Sequence, residues 1–366
     1  MIQEAIKTIV KGSELPFETA RESMGEIMSG KASEAQIGAF LAALSLKGET
    51  VGEITGFARA MRDACVPVSH EGEVFEIVGT GGDGADTFNI STTSGFVIAS
   101  GGVAVAKHGN RSVSSRCGAA DCLEALGVNL ALTGKENTEL LKKAGMCFMF
   151  APVYHSSMKY AAPVRKVLGF RTVFNILGPL GNPAGATMQL MGVYEEKLVE
   201  PMAKVLSNLG VKRGAVVYGM DGLDEITACD RTLVCEFKNG LFQKYLLDPR
   251  DYGMELAHPG DLKGGDSREN AEITRTVLSG EKGPKRNAVL LNAGMSFHLA
   301  EGMSLAEGIQ KAADLIDSGK ALAFMERFIR LSREAAQCSS THWQKARGGG
   351  PGSWKKLTAK ASGKRR

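Results

Sequence analysis

Two polar runs, each placed where an apolar run ends, carry the residue types that can do chemistry in this chain. The first reads GTGGDGADTFNISTTS (79–94) and the second KHGNRSVSS (107–115). Across residues 87–120 there is no Asp or Glu, while Lys107, Arg111 and Arg116 all fall inside that span. A glycine-rich turn offers backbone N–H groups, and with hydroxyls and unopposed cations beside it the combination suits a polyanion, most naturally phosphate. A third run, GMDGLDEIT (219–227), supplies the adjacent carboxylates Asp224 and Glu225. Its bland reading is an Asp/Gly turn. Its chemical reading is a Mg2+ site, because that ion takes one or two carboxylates and completes its shell with water and substrate phosphate.

Each run has a competing explanation. GTGGDG formally satisfies the dinucleotide pattern G-x-G-x-x-G, but that pattern also wants a ribose-binding carboxylate about 20 residues further on, and none is there. A nicotinamide-type reading therefore fails, leaving a phosphate loop or a turn that needs positive φ. NISTTS heads a helix, where Ser91 or Thr92 would cap; a capped helix start and an anion site are compatible, since the same free N–H groups serve both. One Lys or Arg is usually just solvated, yet a cation, an imidazole, an amide, a second cation and three hydroxyls within nine residues argue for a site. No Ser-His-Asp elbow, HExxH or Walker lysine loop appears, so nothing suggests a covalent nucleophile.

Positioning these runs requires strands alternating with helices. Short β-like segments fall at 74–79, 103–109, 147–152, 187–194, 213–219 and 288–294, with helices expected at 94–100, 119–126, 135–144, 197–209 and 304–318. That alternation predicts an α/β fold with a mostly parallel central sheet flanked by helices, whose ligands collect at the carboxyl ends of the strands. Residues 1–68 read instead as a smaller all-helical subdomain, with helices over 16–28, from 33 to 48 and from 51 onward. Residues 154–186 read as a return to it: a helical stretch, YHSSMKYAAPVRKVLGF, then a Gly/Pro-dense loop, RTVFNILGPLGNP. The expected organisation is a helical subdomain over 1–68 joined by 154–186, an α/β domain over 69–336, a cleft between them, and a basic flexible tail over 337–366.

Charge supports that partition. Residues 337–366 hold eight Lys or Arg and no acid, so the rest of the chain carries 36 basic against 40 acidic residues, a mildly acidic body. Seven scattered cysteines without a CxxC pair read as free thiols rather than disulfides or a zinc site. The opening residues lack a long apolar run, so neither a signal peptide nor a membrane span is expected and the location reads as cytoplasmic.

In order and spacing, GTGGD, NISTTS, KHGNRSVSS, CGAADCLEALG, APVYHSSMKYAAPVRKVLGFRTVFNILGPLGNP and GMDGLDEIT resemble the anthranilate phosphoribosyltransferases of tryptophan biosynthesis over about residues 1–330. The resemblance implies transfer of the 5-phosphoribosyl group from 5-phosphoribosyl 1-diphosphate (PRPP) to the amine of anthranilate, with two Mg2+ per active site, usually in a homodimer. It implies that Gly79, Gly82, Asp83, Thr87, Asn89, Ile90, Ser91, Thr92, Lys107, Gly109, Asn110, Arg111, Ser112, Ser114, Ser115 and Ala119 line the PRPP site. Anthranilate would meet Gly79, His108, Asn110, Arg165 and Gly178, while Ser91, Asp224 and Glu225 would reach the metal. Lys107, Asp83 and Asn110 would stand at the reacting centre. Three departures stand out: Ala119 replaces the usual Ser, Ser156 replaces the usual Pro at the start of the segment bearing Arg165, and the tail has no family counterpart. The nearest competing readings are a pyrimidine nucleoside phosphorylase of similar architecture, against which KHGN and RTVFNILGPLGNP argue, and a non-catalytic nucleic-acid binder, which only the basic tail would suit.

Overall fold

Ser33, Thr50, Thr133, Asp266 and Ser304 each start a helix in the same way. The side chain accepts the N–H of the residue three positions on, and Gln36, Glu53, Glu136, Glu269 or Glu307 reaches back to the cap. Each such reciprocal cap contributes about 1 kcal/mol and sets where the helix begins. In the computed structural model, which describes residues 1–112 and 115–346 with side chains as far as Ala335, the helices at the start are α1 (Ile2–Val10), α2 (Phe17–Met28), α3 (Glu34–Lys47) and α4 (Val51–Asp63).

Strands and helices then alternate: β1 (Phe75–Gly79), α5 (Ile90–Ser100), β2 (Val105–Gly109), α6 (Ala119–Leu126), α7 (Gly134–Ala144) and β3 (Met146–Phe150). Three short helices follow, α8 (Ala151–Tyr154), α9 (Ala162–Leu168) and α10 (Phe174–Leu177), before β4 (Met188–Gly192), α11 (Val199–Asn208) and β5 (Arg213–Gly219). A hairpin of β6 (Thr232–Lys238) and β7 (Leu241–Leu247) leads to α12 (Ser267–Leu278), α13 (Pro284–Glu301), α14 (Leu305–Asp317) and α15 (Lys320–Ala346). The seven strands lie in the order β3-β2-β1-β4-β5-β6-β7. β1 to β5 pair in parallel, and β6 and β7 add antiparallel at one edge. Successive strands leave β1 first toward β2 and β3, then toward β4 and β5, so β1 and β4 flank the point where strand order reverses, and it is beyond the carboxyl ends at such a point that sheets of this kind bind ligands.

Alternation along the strands divides the core. Met188 and Leu190 of β4, with Ala215 and Val217 of β5, face α5 and α13; Met191 and Val216 face the opposite side and join α11 and the amino-terminal helices. On that second side, Ala161, Val164, Phe174 and Leu180 pack with Ile37, Phe40 and Phe57 in one apolar cluster.

Several expectations need correction. Residues 288–294 are not a strand but the middle of α13, where Ala288, Val289, Leu291, Ala293 and Met295 are all buried. A short apolar run ending in Gly reads alike for a buried strand and a helix enclosed on all sides. Gly294 lets α14 approach, since a Cβ there would lie 2.6 Å from Ile309 Cγ1. The stretch read as a Gly/Pro loop contains α10 and a 3-10 turn over Gly178–Leu180. The helix expected at 94–100 begins at Ile90. The β6–β7 hairpin was not anticipated, because Leu241, Phe242 and Leu246 of β7 stay exposed and blur the alternation. Its turn was nonetheless readable: Asn239 and Gly240 adopt φ 51° and 80°, the pairing that Asn-Gly favours in a two-residue hairpin. Helices α12 and α15 were also missed, and α15 carries a helical backbone through Ala346, into the segment expected as flexible tail.

One pair across the sheet yields a pH dependence. His298 of α13 faces two acceptors, the Glu236 carboxylate on β6 at 3.1 Å and the Met303 carbonyl at 2.5 Å, and Glu236 also accepts from the Tyr245 hydroxyl at 2.9 Å. The bond to Glu236 raises His298 above its ordinary 6.5, and the same bond lowers Glu236 below 4.5. The pair's contribution is therefore fully present between about pH 4.5 and 6.5, fading as pH rises through the raised imidazole value or falls through the depressed carboxyl value. Thermal melts of wild type and Glu236→Gln should differ most near about pH 5.5 and converge toward about pH 9; a gap independent of pH would refute the assignment.

Candidate active site

Lys107 is the cation around which the site is built. It is the central residue of β2, two before its end, on the α5 face, and is 1% exposed. Its Nζ donates to the Ile77 carbonyl of β1 at 2.6 Å and to Ser91 Oγ at 3.2 Å. Burial pulls this ammonium down to about 8, against the attraction of Glu225, Glu76 and Asp224. The carboxylates feel the converse. Burial lifts Glu225 to about 7 although Lys107 and the Ser91 N–H, which it accepts at 3.1 Å, hold it down. Asp224 is pushed well above its usual range by burial, then by Asp83 and Glu225; it accepts the Gly81 N–H at 2.5 Å.

Glycine permits that approach. A Cβ on Gly79 would lie 2.3 Å from Asp224 Oδ2, and one on Gly192 only 1.6 Å from the Asp224 carbonyl oxygen. Behind the pair, buried Asn292 of α13 grips Ile226 with both arms, accepting its N–H at 3.1 Å and donating to its carbonyl at 2.8 Å. Asp221 closes the preceding turn by accepting from Thr227 Oγ1 at 2.7 Å, so this run is at once the Asp/Gly turn and the mount for two cleft carboxylates.

The adjacent residue faces the other way. His108, next along β2, points to the helical side, where its ring lies 4.9 Å from that of His155, centroid to centroid. Burial, with His155 second, lowers His108 to about 3, the Gly178 backbone partly offsetting this; burial likewise lowers His155 to about 4. Both imidazoles are therefore neutral at physiological pH. Glu76 of β1 is fully buried on the same side and accepts the His108 N–H at 3.2 Å. Arg62 of α4 ties this wall together, donating to the carbonyls of Leu180 at 2.7 Å and Leu209 at 3.1 Å. Arg165 of α9 lies over the Phe174 ring at 5.1 Å, makes no ion pair among the described residues, and is lowered by burial alone. A half-buried arginine without a counterion is poised for a carboxylate.

The structure thus brings Gly79, Asp83, Ser91, Lys107, Asp224 and Glu225 together at the strand ends, and His108 and Gly178 on the facing wall. The others distribute less simply. Thr87 bridges Lys263 in the chain covering the loop, and Asn89 exchanges contacts with Cys117. Asn89 is the residue preceding α5, while Ser91 and Thr92 sit inside its first turn, so neither caps it as expected. Ile90 is buried in the core and its N–H goes to the Phe88 carbonyl at 2.8 Å. Thr92 is fully buried. Gly109 packs its backbone against Phe148 and Ala119. Asn110 is exposed and accepts the Arg111 N–H at 2.8 Å. Arg111 is turned from the glycine loop onto α6, paired with Asp121 at 2.9 Å and Glu124 at 2.8 Å. Ser112 N–H donates to Asp121 at 2.9 Å, and the Ser112 and Ser115 hydroxyls lie 3.0 Å apart. Ser114 lies outside the described residues. Ala119 is the first residue of α6, and Ser156 opens a 3-10 turn over Ser156–Tyr160 that ends before α9, so it does not start the helix bearing Arg165.

Sequence reasoning missed Glu76, Arg62, Asn292 and Arg171, whose Nη2 donates to the Gly82 carbonyl at 2.6 Å. Each is an isolated polar residue in an ordinary context; only the last, in a Gly-bounded stretch, lay near a motif already singled out. For a divalent cation the donor set fits: Ser91 Oγ, Asp224 and Glu225 are oxygens, and the two carboxylates are held against burial and mutual repulsion that a cation would relieve. Among the described residues no three His, Cys, Asp or Glu side chains form a ready cage. The six described cysteines are free, and none of the described helices is long and apolar enough to cross a membrane.

Comparison with known proteins accords with this geometry. A glycosyl transferase family a/b domain matches residues 71–322 and a glycosyl transferase family helical bundle domain matches residues 3–65. The anthranilate phosphoribosyltransferase of Ruminiclostridium cellulolyticum is 54% identical over 338 residues, 92% of this chain and 99% of that protein. That of Lachnoclostridium phytofermentans is 55% identical over 91% of this chain and 99% of its own length. Among solved structures, anthranilate phosphoribosyltransferase from Thermus thermophilus superposes with a TM-score of 0.86 at 45% identity, covering 90% of this chain and 99% of that one. The Saccharomyces cerevisiae enzyme in complex with PRPP and Mg gives 0.84 at 28% identity, over 91% and 98%.

Proposed function

The chain belongs to the anthranilate phosphoribosyltransferases, which transfer the 5-phosphoribosyl group of PRPP to the amine of anthranilate in tryptophan biosynthesis, and from that premise we propose how its own residues carry the reaction. The observation that carries the reading is the cluster of buried Lys107, Asp224 and Glu225 with half-buried Ser91 at the carboxyl ends of β1 and β2, beside the start of α5.

PRPP lies along the glycine loop, with Gly79, Gly82, Asp83, Thr87, Asn89, Ser91 and Thr92 on one side and the segment from Lys107 to Ser115 on the other. Ser91, Asp224 and Glu225 hold Mg2+, two ions per site, which when bound neutralises the diphosphate and makes it a better leaving group. Lys107 supplies fixed positive charge to the same departing oxygens, and its burial strengthens that interaction because water cannot screen it. Anthranilate lies on the helical side, its carboxylate forked by Arg165 and its ring between Gly79, His108, Asn110 and Gly178. The neutral imidazoles of His108 and His155 present that ring with an uncharged wall.

In the transfer, the bond from the anomeric carbon to diphosphate breaks as the amine nitrogen bonds to that carbon from the opposite face, and the nitrogen loses a proton. The residues contribute position and electrostatics rather than a covalent intermediate. The departing diphosphate and the incoming amine lie on opposite faces of that carbon, in keeping with the opposite orientations of Lys107 and His108 on β2.

We further infer a homodimer through the helical face, where Leu46 of α3 is 91% exposed, Val167 of α9 87%, and Phe170 beyond it 47%. The chain is expected to work in the cytoplasm.

Replacing Asp224 and Glu225 together by Ala should lower turnover by about a thousandfold at millimolar Mg2+, followed as the decay of anthranilate fluorescence on adding PRPP; undiminished turnover would remove these carboxylates from the metal site. Arg165→Lys should raise KM for anthranilate about tenfold while leaving KM for PRPP unchanged, and the reverse pattern would move Arg165 to the other substrate. Sedimentation equilibrium should return twice the 38.8 kDa chain mass; a monomer at micromolar concentration would contradict the interface.

A further inference from the structure

Arg171 stands six residues beyond Arg165, past the left-handed Gly169 that ends α9. Its guanidinium reaches across the cleft. Nη2 donates to the Gly82 carbonyl at 2.6 Å, the guanidinium carbon lies 4.1 Å from the centroid of the Tyr194 ring, and Glu195 is 3.6 Å from Nη1. The carbonyl of Arg171 in turn accepts from the Ser45 hydroxyl of α3 at 3.2 Å. One residue therefore touches the helical side, the chain leaving β4, and the turn of the glycine loop.

That turn has little of its own to hold it. Gly81, Gly82 and Gly84 adopt φ of 70°, 79° and 74°, so the sequence that permits this conformation also gives the unfastened loop great freedom. Its other ties run to the α/β side, Thr80 N–H to the Gly192 carbonyl at 3.0 Å and Gly81 N–H to Asp224, while Ala85 N–H to Asp83 at 3.2 Å stays within the loop. Among the described residues, the bond from Arg171 is the single tie from the loop to the opposite wall. Both contacts are solvent-exposed, but the 2.6 Å charge-assisted bond from a guanidinium stacked on an aromatic ring contributes more than the 3.6 Å ion pair with Glu195.

We propose that Arg171 is a positioning residue for the transfer reaction: it fastens the Gly81–Gly84 turn in the shape that receives the diphosphate of PRPP, and it does so from the segment that also carries Arg165. The proposal rests on the reading of this loop as the PRPP site, and two measurements separate their fates.

Hydrogen exchange of the ligand-free protein reports the fastening alone. In Arg171→Ala, amides over 79–87 should exchange roughly tenfold faster while those of β1, β2 and α13 are unchanged. Calorimetric titration with Mg2+ and PRPP reports the consequence: Kd should rise roughly tenfold, with KM for anthranilate unaltered and the melting temperature held. Arg171→Lys, which keeps one donor and the charge but not the planar stack, should fall between the two. Exchange at 79–87 equal to wild type would overturn the proposal, as would a general rise in exchange with a lowered melting temperature, which marks a merely structural role. If the loop loosens as stated but wild type does not bind PRPP, the fastening stands and the phosphoribosyl reading of the loop falls.

Discussion

A single ammonium, enclosed with more negative charge than it can balance, is the constraint on which this structure turns. Lys107 is surrounded by Glu225, Glu76 and Asp224, all but removed from water, and each group is shifted by burial toward its neutral form. Holding ions in such a place is costly, several kcal/mol for each one, unless partners or ligands restore the balance. A stable core gains nothing from this arrangement, whereas a site that must receive a metal and a triply phosphorylated sugar does.

Strand geometry turns this charge into a two-substrate site. Along β2, Lys107 points toward α5 and His108 toward the amino-terminal helices, because successive side chains leave a strand on opposite faces. The same alternation on β1 places Ile77 in the core beneath α5 and Glu76 among Arg62 and His108 on the other side. Lys107 and the cleft carboxylates Asp224 and Glu225 gather on one face, and two neutral imidazoles stand beside Glu76 and Arg62 on the other. On the proposed reading, a polyanion and an aromatic amine would meet at one strand end without sharing an environment.

Close backbone approach completes the arrangement. The Asp224–Glu225 segment lies so near β1 and β4 that Gly79 and Gly192 have no room for a side chain, and Asn292 braces it from behind through Ile226. The carboxylates are held by α13, a helix almost wholly enclosed by its neighbours, so their placement depends on packing far from the cleft. Arg62 and Arg171 do the corresponding work on the helical side, each using a guanidinium to hold backbone carbonyls of loops that have little regular structure.

Much of this was legible beforehand. The glycine loop, the lysine-to-serine run and the acidic turn each announce their chemistry in a few consecutive residues, and five of the six expected strands lie where the apolar runs put them, because local composition and period are local properties. What the chain could not disclose is whatever depends on the third dimension. AVLLNAG carries no mark of being an enclosed helix, since a segment surrounded on every side loses the periodicity that would betray it. Ile90 looks like its neighbours in the motif, yet tertiary packing buries its side chain and Phe88 takes its N–H. Arg111 belongs to the cation-rich run, but α6 presents Asp121 and Glu124 within reach and draws it away. Sequence by itself determined which groups are present and on which elements; only the folded chain decided which are buried, which are already paired, and which distant residues, Asn292, Arg62 and Arg171 among them, hold the site in shape, because burial and pairing depend on neighbours remote in sequence.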